Sequence, residues 1–325
     1  MRADMLTERR ALARALTRIE NGEAAGQDAV RAAWARTGRA HRVGVTGAPG
    51  SGKSTLVSAL ARAWRSSGRS VAILSIDPSS PLTGGAILGD RIRMRELSGD
   101  PGVFIRSMAS RGAAGGLASA AADAVALLDA HGFDLVVVET VGAGQSEVDV
   151  VRLADSVVVV EAPGMGDDVQ AIKAGILEIA DVLVVNKSDR PGAQKTIAAL
   201  QAALDLAPQS HGHHGVAASS EEHIHAPDGW STPVLATAAT TGAGVSALID
   251  ALKLHHEWLQ QSGEAELRRT RRAGHEVLAR LREQLMQRAL QVVSAEIIAE
   301  LQASVASGRC TPVDAAHALV KRLIP

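Results

Sequence analysis

The sequence predicts an α/β fold in which a mostly parallel central sheet is flanked by helices, with a helical extension before it and a helical arm after it. Three observations carry this. Short β-branched runs at Arg42–Thr46, Val71–Ile76, Val103–Ile105, Leu135–Glu139, Val157–Val160, Val182–Asn186 and Val234–Thr237 each lead into a loop or a helical stretch. Near-continuous apolar strands alternating with helices belong to parallel sheets covered on both faces. The first 40 residues and the last 64 lack such runs and instead place leucines at helical intervals. The expected division is an extension over 1–40, an α/β domain over 41–261 and an arm over 262–325.

In the extension, Leu6, Leu12, Leu16 and Ile19 recur among many arginines, as an appendage before the main fold would. Between Ala207 and Trp230 the strand–helix alternation lapses into a Gly/Ser/His-rich stretch holding His211, His213, His214, His223 and His225. It reads as a surface loop; a metal site is the alternative, although no zinc-finger spacing and no cysteine supports one. In the arm, Leu267, Leu278, Leu281, Leu285, Leu290 and Ile297 recur amid Arg, Glu and Gln. A long amphipathic arm must cover its apolar face, either with a second subunit or with its own domain, and periodicity does not choose between them.

Composition narrows the function classes. The charges nearly cancel, with 34 basic against 35 acidic residues, so no global field points to nucleic acid or membrane. Two Phe, four Trp and no Tyr leave few platforms for base stacking. The single cysteine, Cys310, excludes an internal disulfide and a CxxC motif. No segment reads as a signal peptide or a bilayer span, so a cytoplasmic protein is expected.

The segment Gly47-Ala48-Pro49-Gly50-Ser51-Gly52-Lys53-Ser54-Thr55 follows an expected strand and opens an expected helix. That context turns a G-x-x-x-x-G-K-[ST] match into a phosphate loop and the fold into that of a P-loop NTPase. Glycines let successive N–H groups point inward without a Cβ in the way. Lys53 reaches the β and γ phosphates, Ser54 offers its hydroxyl to Mg²⁺, and the helix N-terminus adds partial positive charge.

The base is read further along. Val182–Val185 ends in Asn186-Lys187-Ser188-Asp189, an N-K-x-D motif. An Asp189 carboxylate accepting the ring N–H and exocyclic amine of guanine finds no such pair on adenine, so GTP is preferred over ATP. Ala238-Ala239-Thr240 stands where a base loop would offer backbone N–H groups, with Ala238 in place of the usual Ser. The strand from Leu135 delivers Glu139 to its C-terminal edge, where it would act on Mg²⁺ through a water, and Gly142 follows as an N–H donor for the γ-phosphate. Asp77 and Asp90 are further candidates for the metal or the attacking water, or else turn-forming or helix-capping residues. Lys53, Asp77 and Glu139 are the expected catalytic groups, and Ser54, Asp77, Asp90 and Glu139 the expected metal ligands.

These residues resemble the MeaB/ArgK GTPases, a branch of P-loop proteins that includes the human methylmalonic aciduria type A protein. The resemblance rests on Gly47–Thr55, Asp77–Pro81, Gly89–Met94, Phe104–Ser107, Arg111–Gly116, Glu139–Glu147 and Asn186–Asp189, and Glu139 itself, where most GTPases carry Asp, marks the branch. It implies a GTP-dependent chaperone of methylmalonyl-CoA mutase that gates adenosylcobalamin loading and protects the mutase, with the cobalamin belonging to the partner. It also implies a homodimer formed through the C-terminal arm, and a relay segment in which Asp167 and Lys173 carry the nucleotide state to the client. Two departures stand out: Ala114 replaces a Leu in the R-G-x-L-G-G run, and the His-rich loop is particular to this chain.

Ala143 directly follows Gly142, so the water-orienting glutamine of Ras-like enzymes is missing from its place. Slow hydrolysis by the isolated protein and stimulation by a partner are expected, with Gln145, Arg91, Arg93, Arg106 and Arg111 as candidate helpers. The rivals are a nickel metallochaperone GTPase, a small-molecule kinase, and a chaperone of a related acyl-CoA mutase.

Overall fold

In a computed structural model of the chain, the described residues are 2–78, 94–97, 99–110, 116–140, 152–164, 174–206 and 229–323. They form a seven-stranded sheet: β1 (His41–Gly47), β2 (Val71–Pro78), β3 (Val103–Ser110), β4 (Leu135–Thr140), β5 (Ser156–Glu161), β6 (Val182–Val185) and β7 (Val234–Ala236). The strand order is β3-β2-β4-β1-β5-β6-β7, and every pairing is parallel. The sheet is therefore wholly rather than mostly parallel among the described residues. β3 runs on to Ser110 because Arg106, Ser107 and their successors keep register with Leu74–Pro78 of β2, a pairing that polar side chains hid from the apolar-run criterion.

The helices are α1 (Arg2–Glu20), α2 (Ala24–Ala33), α3 (Lys53–Ser66), α4 (Gly116–Ala130), α5 (Ala174–Ile179), α6 (Ala193–Leu206), α7 (Val245–Ser262), α8 (Glu264–Val292), α9 (Ala295–Ala306) and α10 (Pro312–Leu323). Side chains alternate across a strand. Val43, Val45, Leu135 and Val137 accordingly meet Leu56, Leu60 and Trp64 of α3 and Leu248 and Leu252 of α7 on one face. Val136 and Val138 face the other way, into an apolar cluster with Val125 and Leu128 of α4, and α1 adds Leu12, Leu16 and Ile19 to the same cluster. The N-terminal residues are helical as expected, yet they do not hang beside the fold: Leu16 is fully buried and α1 supplies part of the second layer. Helical periodicity showed an apolar stripe without showing which surface it covers.

Opposite the phosphate loop, the N-terminal ends of the strands are tied by aspartates. Asp134 precedes β4 and accepts from Ser70 N, Asp155 precedes β5 and accepts from Arg42 N, and Asp181 precedes β6 and accepts from Val157 N. Each carboxylate thus satisfies an N–H at the start of a neighbouring strand. The root of α8 reaches the same aspartates: Arg268 Nη2 lies 2.9 Å from Asp181 Oδ1, and Arg272 Nη2 lies 2.7 Å from Asp155 Oδ1. Between them, Ser156 Oγ sits 2.7 Å from both His41 Nε2 and His255 Nδ1, so the hydroxyl donates to one ring and accepts from the other. His255 Nε2 is 3.2 Å from Asp181 Oδ1.

Burial first, and the neighbouring His256 ring second, push the His41 pKa down to about 3 against the attraction of Asp155 and Asp181. Burial lowers His256 likewise. An unfolded chain protonates these rings near pH 6.5 while the folded protein resists the proton. Stability is therefore full above about pH 6.5 and falls as pH drops from there toward 3, at roughly 1.4 kcal/mol per pH unit for each proton excluded. Urea denaturation at pH 7.5 and pH 5 should give a lower midpoint at pH 5, and His41→Asn should flatten that difference; an equal slope in the variant would remove His41 as its source.

Candidate nucleotide-binding site

The site lies at the C-terminal edge of the sheet, where β1, β4 and β6 release their loops into the crevice that parallel sheets use for ligands. Gly47 ends β1 with φ 135°, and a Cβ there would lie 2.1 Å from the Val160 carbonyl oxygen. Gly52 has φ 92° and caps α3 without any side-chain hydrogen bond, which leaves the first helical N–H groups to a ligand. Ala48, Pro49, Gly50 and Ser51 form the turn between them. Ser51 is buried, and its Oγ has no hydrogen-bond partner among the described residues. Thr55, in the first turn of α3, has an exposed side chain, and its N–H is one of those first helical groups.

Lys53 is 6% exposed, and its ammonium donates to the carbonyls of Gly47 at 2.8 Å and Ala48 at 3.0 Å, spanning the loop from within. Ser54 Oγ donates to Glu139 Oε1 at 2.5 Å, a short charge-assisted contact between α3 and β4. A hydroxyl and a carboxylate, both hard oxygen donors, meeting at a helix N-terminus suit Mg²⁺. Asp77 lies in β2 opposite Ala109 of β3, and its side chain is outside the described residues. Asp90, Gly142, Asp167 and Lys173 also lie outside them, as do Arg91, Arg93, Arg111, Gln145 and the histidines of 211–225. Arg106, a candidate helper, is engaged elsewhere: it pairs with Glu20 of α1 at 2.5 Å.

Asn186 joins the two halves of the site. Its Nδ2 donates to Ser51 O at 2.9 Å, and its Oδ1 accepts from Thr237 Oγ1 and from Ala239 N, each at 3.1 Å. Lys187 takes a left-handed φ of 57° and stretches its ammonium to Gly50 O at 2.6 Å, along the rim of the phosphate loop. Asp189 remains exposed beyond them. In the loop after β7, Ala238 N bonds Ala243 O and Ala239 N bonds Asn186, so of the three expected donors only Thr240 keeps an N–H without a hydrogen bond among the described residues. Thr237 was missed by motif reading. Its hydroxyl orients Asn186 and its carbonyl accepts from Ser188 N, and the signal available was its place at the end of an expected strand just before the base loop.

A phosphate loop, a hydroxyl–carboxylate pair beside it and an N-K-x-D loop bonded to it define a P-loop GTPase. The sequence pattern of the methylmalonyl-CoA mutase-associated GTPase MeaB matches residues 12–294, and the chain belongs to that family. A Pyrococcus horikoshii protein named as a GTPase is 50% identical over 265 residues, covering 81% of this chain and 79% of that one. The mitochondrial methylmalonic aciduria type A homolog of Caenorhabditis briggsae is 36% identical over 241 residues, 73% of this chain and 54% of that one. A crystal structure described as an LAO/AO transport system kinase shares the fold, with a TM-score of 0.65 at 22% identity over 96% of this chain and 97% of that one.

The close contact at Gly52 provides a test. A Cβ there would fall 2.4 Å from Asn186 Nδ2, on a backbone that L side chains resist. Gly52→Ala should weaken nucleotide binding at least about tenfold by calorimetry, because the residue must displace the Asn186 amide or abandon its φ. Gly99→Ala, with nothing within 4 Å of the added carbon, is the control and should bind like the parent.

Proposed function

We propose that this GTPase is a chaperone of an adenosylcobalamin-dependent methylmalonyl-CoA mutase, gating cofactor loading and protecting the loaded mutase from inactivation. The family match and the C. briggsae homolog support the mutase as client; the cobalamin would belong to that partner, not to this chain. The observation that carries the nucleotide half of the reading is the Asn186 junction, which ties the N-K-x-D loop to the phosphate loop.

On this reading Lys53 leaves the Gly47 and Ala48 carbonyls for the β and γ phosphates. Ser54 would offer its hydroxyl oxygen to Mg²⁺, and Glu139 would act on the ion through a water. The ion supplies charge neutralisation on the phosphates. Asp77 and Asp90 complete the metal or water contacts, Gly142 donates to the γ-phosphate, and Asp167 and Lys173 relay the state to the client. Asp189 accepts from guanine, and the Thr240 N–H, without a hydrogen bond among the described residues, faces the base carbonyl. With no glutamine after Gly142, hydrolysis is slow until the client contributes.

Competition calorimetry against bound GDP is the first check. GTP should displace it and ATP should be weaker by on the order of 10⁴-fold, whereas equal displacement would refute guanine reading. Pull-down from native extract with GDP and with a non-hydrolysable GTP analogue should recover a cobalamin-dependent mutase that speeds single-turnover hydrolysis. Recovery of a hydrogenase or urease instead would overturn the client.

The arm supports a homodimer. None of the 29 residues of α8 is buried, and Val277, Leu278, Leu281, Leu285, Met286 and Leu290 are 48–65% exposed along a helix roughly 43 Å long. Arg268 and Arg272 at its root are used on its own domain, while the apolar face further along is left for a second copy. Sedimentation should give a dimer that Leu281→Arg with Leu285→Arg converts to monomer; a monomeric parent would exclude this role for the arm.

A further inference from the structure

Ser75 of β2 is the register partner of Glu139 on β4. Val71 and Ile73 on β2, and Leu135 and Val137 on β4, join the core beneath α3. The two-residue period of a strand therefore puts Ser75 and Glu139 on that same face, as neighbours on strands about 4.8 Å apart. Both stand at the strand ends that meet the start of α3, where Ser54 contacts Glu139. Ser75 is fully buried, and its Oγ has no hydrogen-bond partner among the described residues. A hydroxyl in that position costs stability in this state, and a hydrogen bond that it makes in another state would account for it. Alanine would fill the place without the penalty.

We propose that Ser75 is a positioning residue that donates a hydrogen bond to the Glu139 carboxylate when Mg²⁺ takes the oxygen of Ser54. The proposal rests on the reading of Ser54 and Glu139 as the Mg²⁺ pair. Here the Ser54 proton goes to Glu139 Oε1. Once the Ser54 oxygen turns to the metal, Glu139 gives up that donor, and the Ser75 hydroxyl at the register position beside it can take its place. Thr46 and Thr140, the nearby strand hydroxyls, point to the opposite face and bond each other at 3.1 Å, so they cannot supply it. Ser75 lies on the correct face, on the adjacent strand, with its proton uncommitted. Groups that orient a metal-contacting carboxylate typically set metal affinity by 10–100-fold.

Two readouts of opposite sign test this. Ser75→Ala should lower Mg²⁺ affinity by about tenfold or more, measured as the Mg²⁺ concentration that half-suppresses release of fluorescent GDP. The same variant without nucleotide should melt higher by roughly 2–4 °C, because an unpaired buried hydroxyl is gone. Ser75→Thr, which keeps the hydroxyl, should retain the parental Mg²⁺ dependence. Unchanged Mg²⁺ affinity in Ser75→Ala overturns the assignment, and so does a Ser75→Thr variant as weak as Ser75→Ala, which marks disruption of the strand. GDP release from the parent that ignores Mg²⁺ altogether refutes instead the prior reading of Ser54 and Glu139, and this inference with it.

Discussion

Asn186 commits both halves of one buried carboxamide to loops that are far apart in the chain. Its amine holds the Ser51 carbonyl, 135 residues earlier, and its oxygen gathers Thr237 and Ala239, more than 50 residues later. The phosphate loop, the N-K-x-D loop and the base loop are thereby fixed relative to one another by the protein's own hydrogen bonds. Preorganisation of this kind avoids the ordering cost of assembling three loops around a ligand. The Lys187–Gly50 contact repeats the tie on the rim, where its geometry requires a left-handed backbone. Glycine at 52 is then a steric consequence: the carboxamide occupies the space a Cβ would need.

The parallel sheet explains why this junction and the anchoring of the arm do not interfere. All seven strands point the same way, so their C-terminal ends collect the phosphate and base loops while their N-terminal ends collect Asp134, Asp155 and Asp181. The carboxyl groups of Asp155 and Asp181 are shifted below the ordinary carboxylate range. Arginine and backbone donors outweigh burial at Asp155, and at Asp181 His255 and Arg268 do the same. The second of these edges is structural, and its aspartates look in sequence like ordinary strand-starting residues. Only the fold shows that each one serves its neighbour's backbone and that two of them receive arginines from α8.

Much of the fold was legible because strands buried on both faces must be apolar throughout, and such runs are hard to mistake. The phosphate loop and N-K-x-D were legible because their chemistry fixes residue type at each position. Packing partners were not. The stripe Leu12, Leu16, Ile19 reads the same whether it covers the sheet or a partner, and it covers the sheet. The stripe Leu278, Leu281, Leu285 reads the same again, and it is left exposed. Thr237 and Ser75 were invisible for another reason: each matters through a residue on an adjacent element, a relation that strand register creates and linear spacing does not encode.

The same anchoring constrains how a nucleotide signal travels. A pivot of α8 against the sheet would have to part Arg268 from Asp181 and Arg272 from Asp155, pairs largely shielded from water. Removing one partner from such a pair costs about 3–5 kcal/mol, and a ligand can shift a conformation only by its differential affinity for the two states. Two pairs together demand more than one γ-phosphate contact supplies. Rearranging a segment at the C-terminal strand ends breaks neither, because β5 and β6 separate those ends from the arginines. The arm and the strands carrying the guanine loop are therefore tied together at the N-terminal edge of the sheet, on the side away from the phosphate loop.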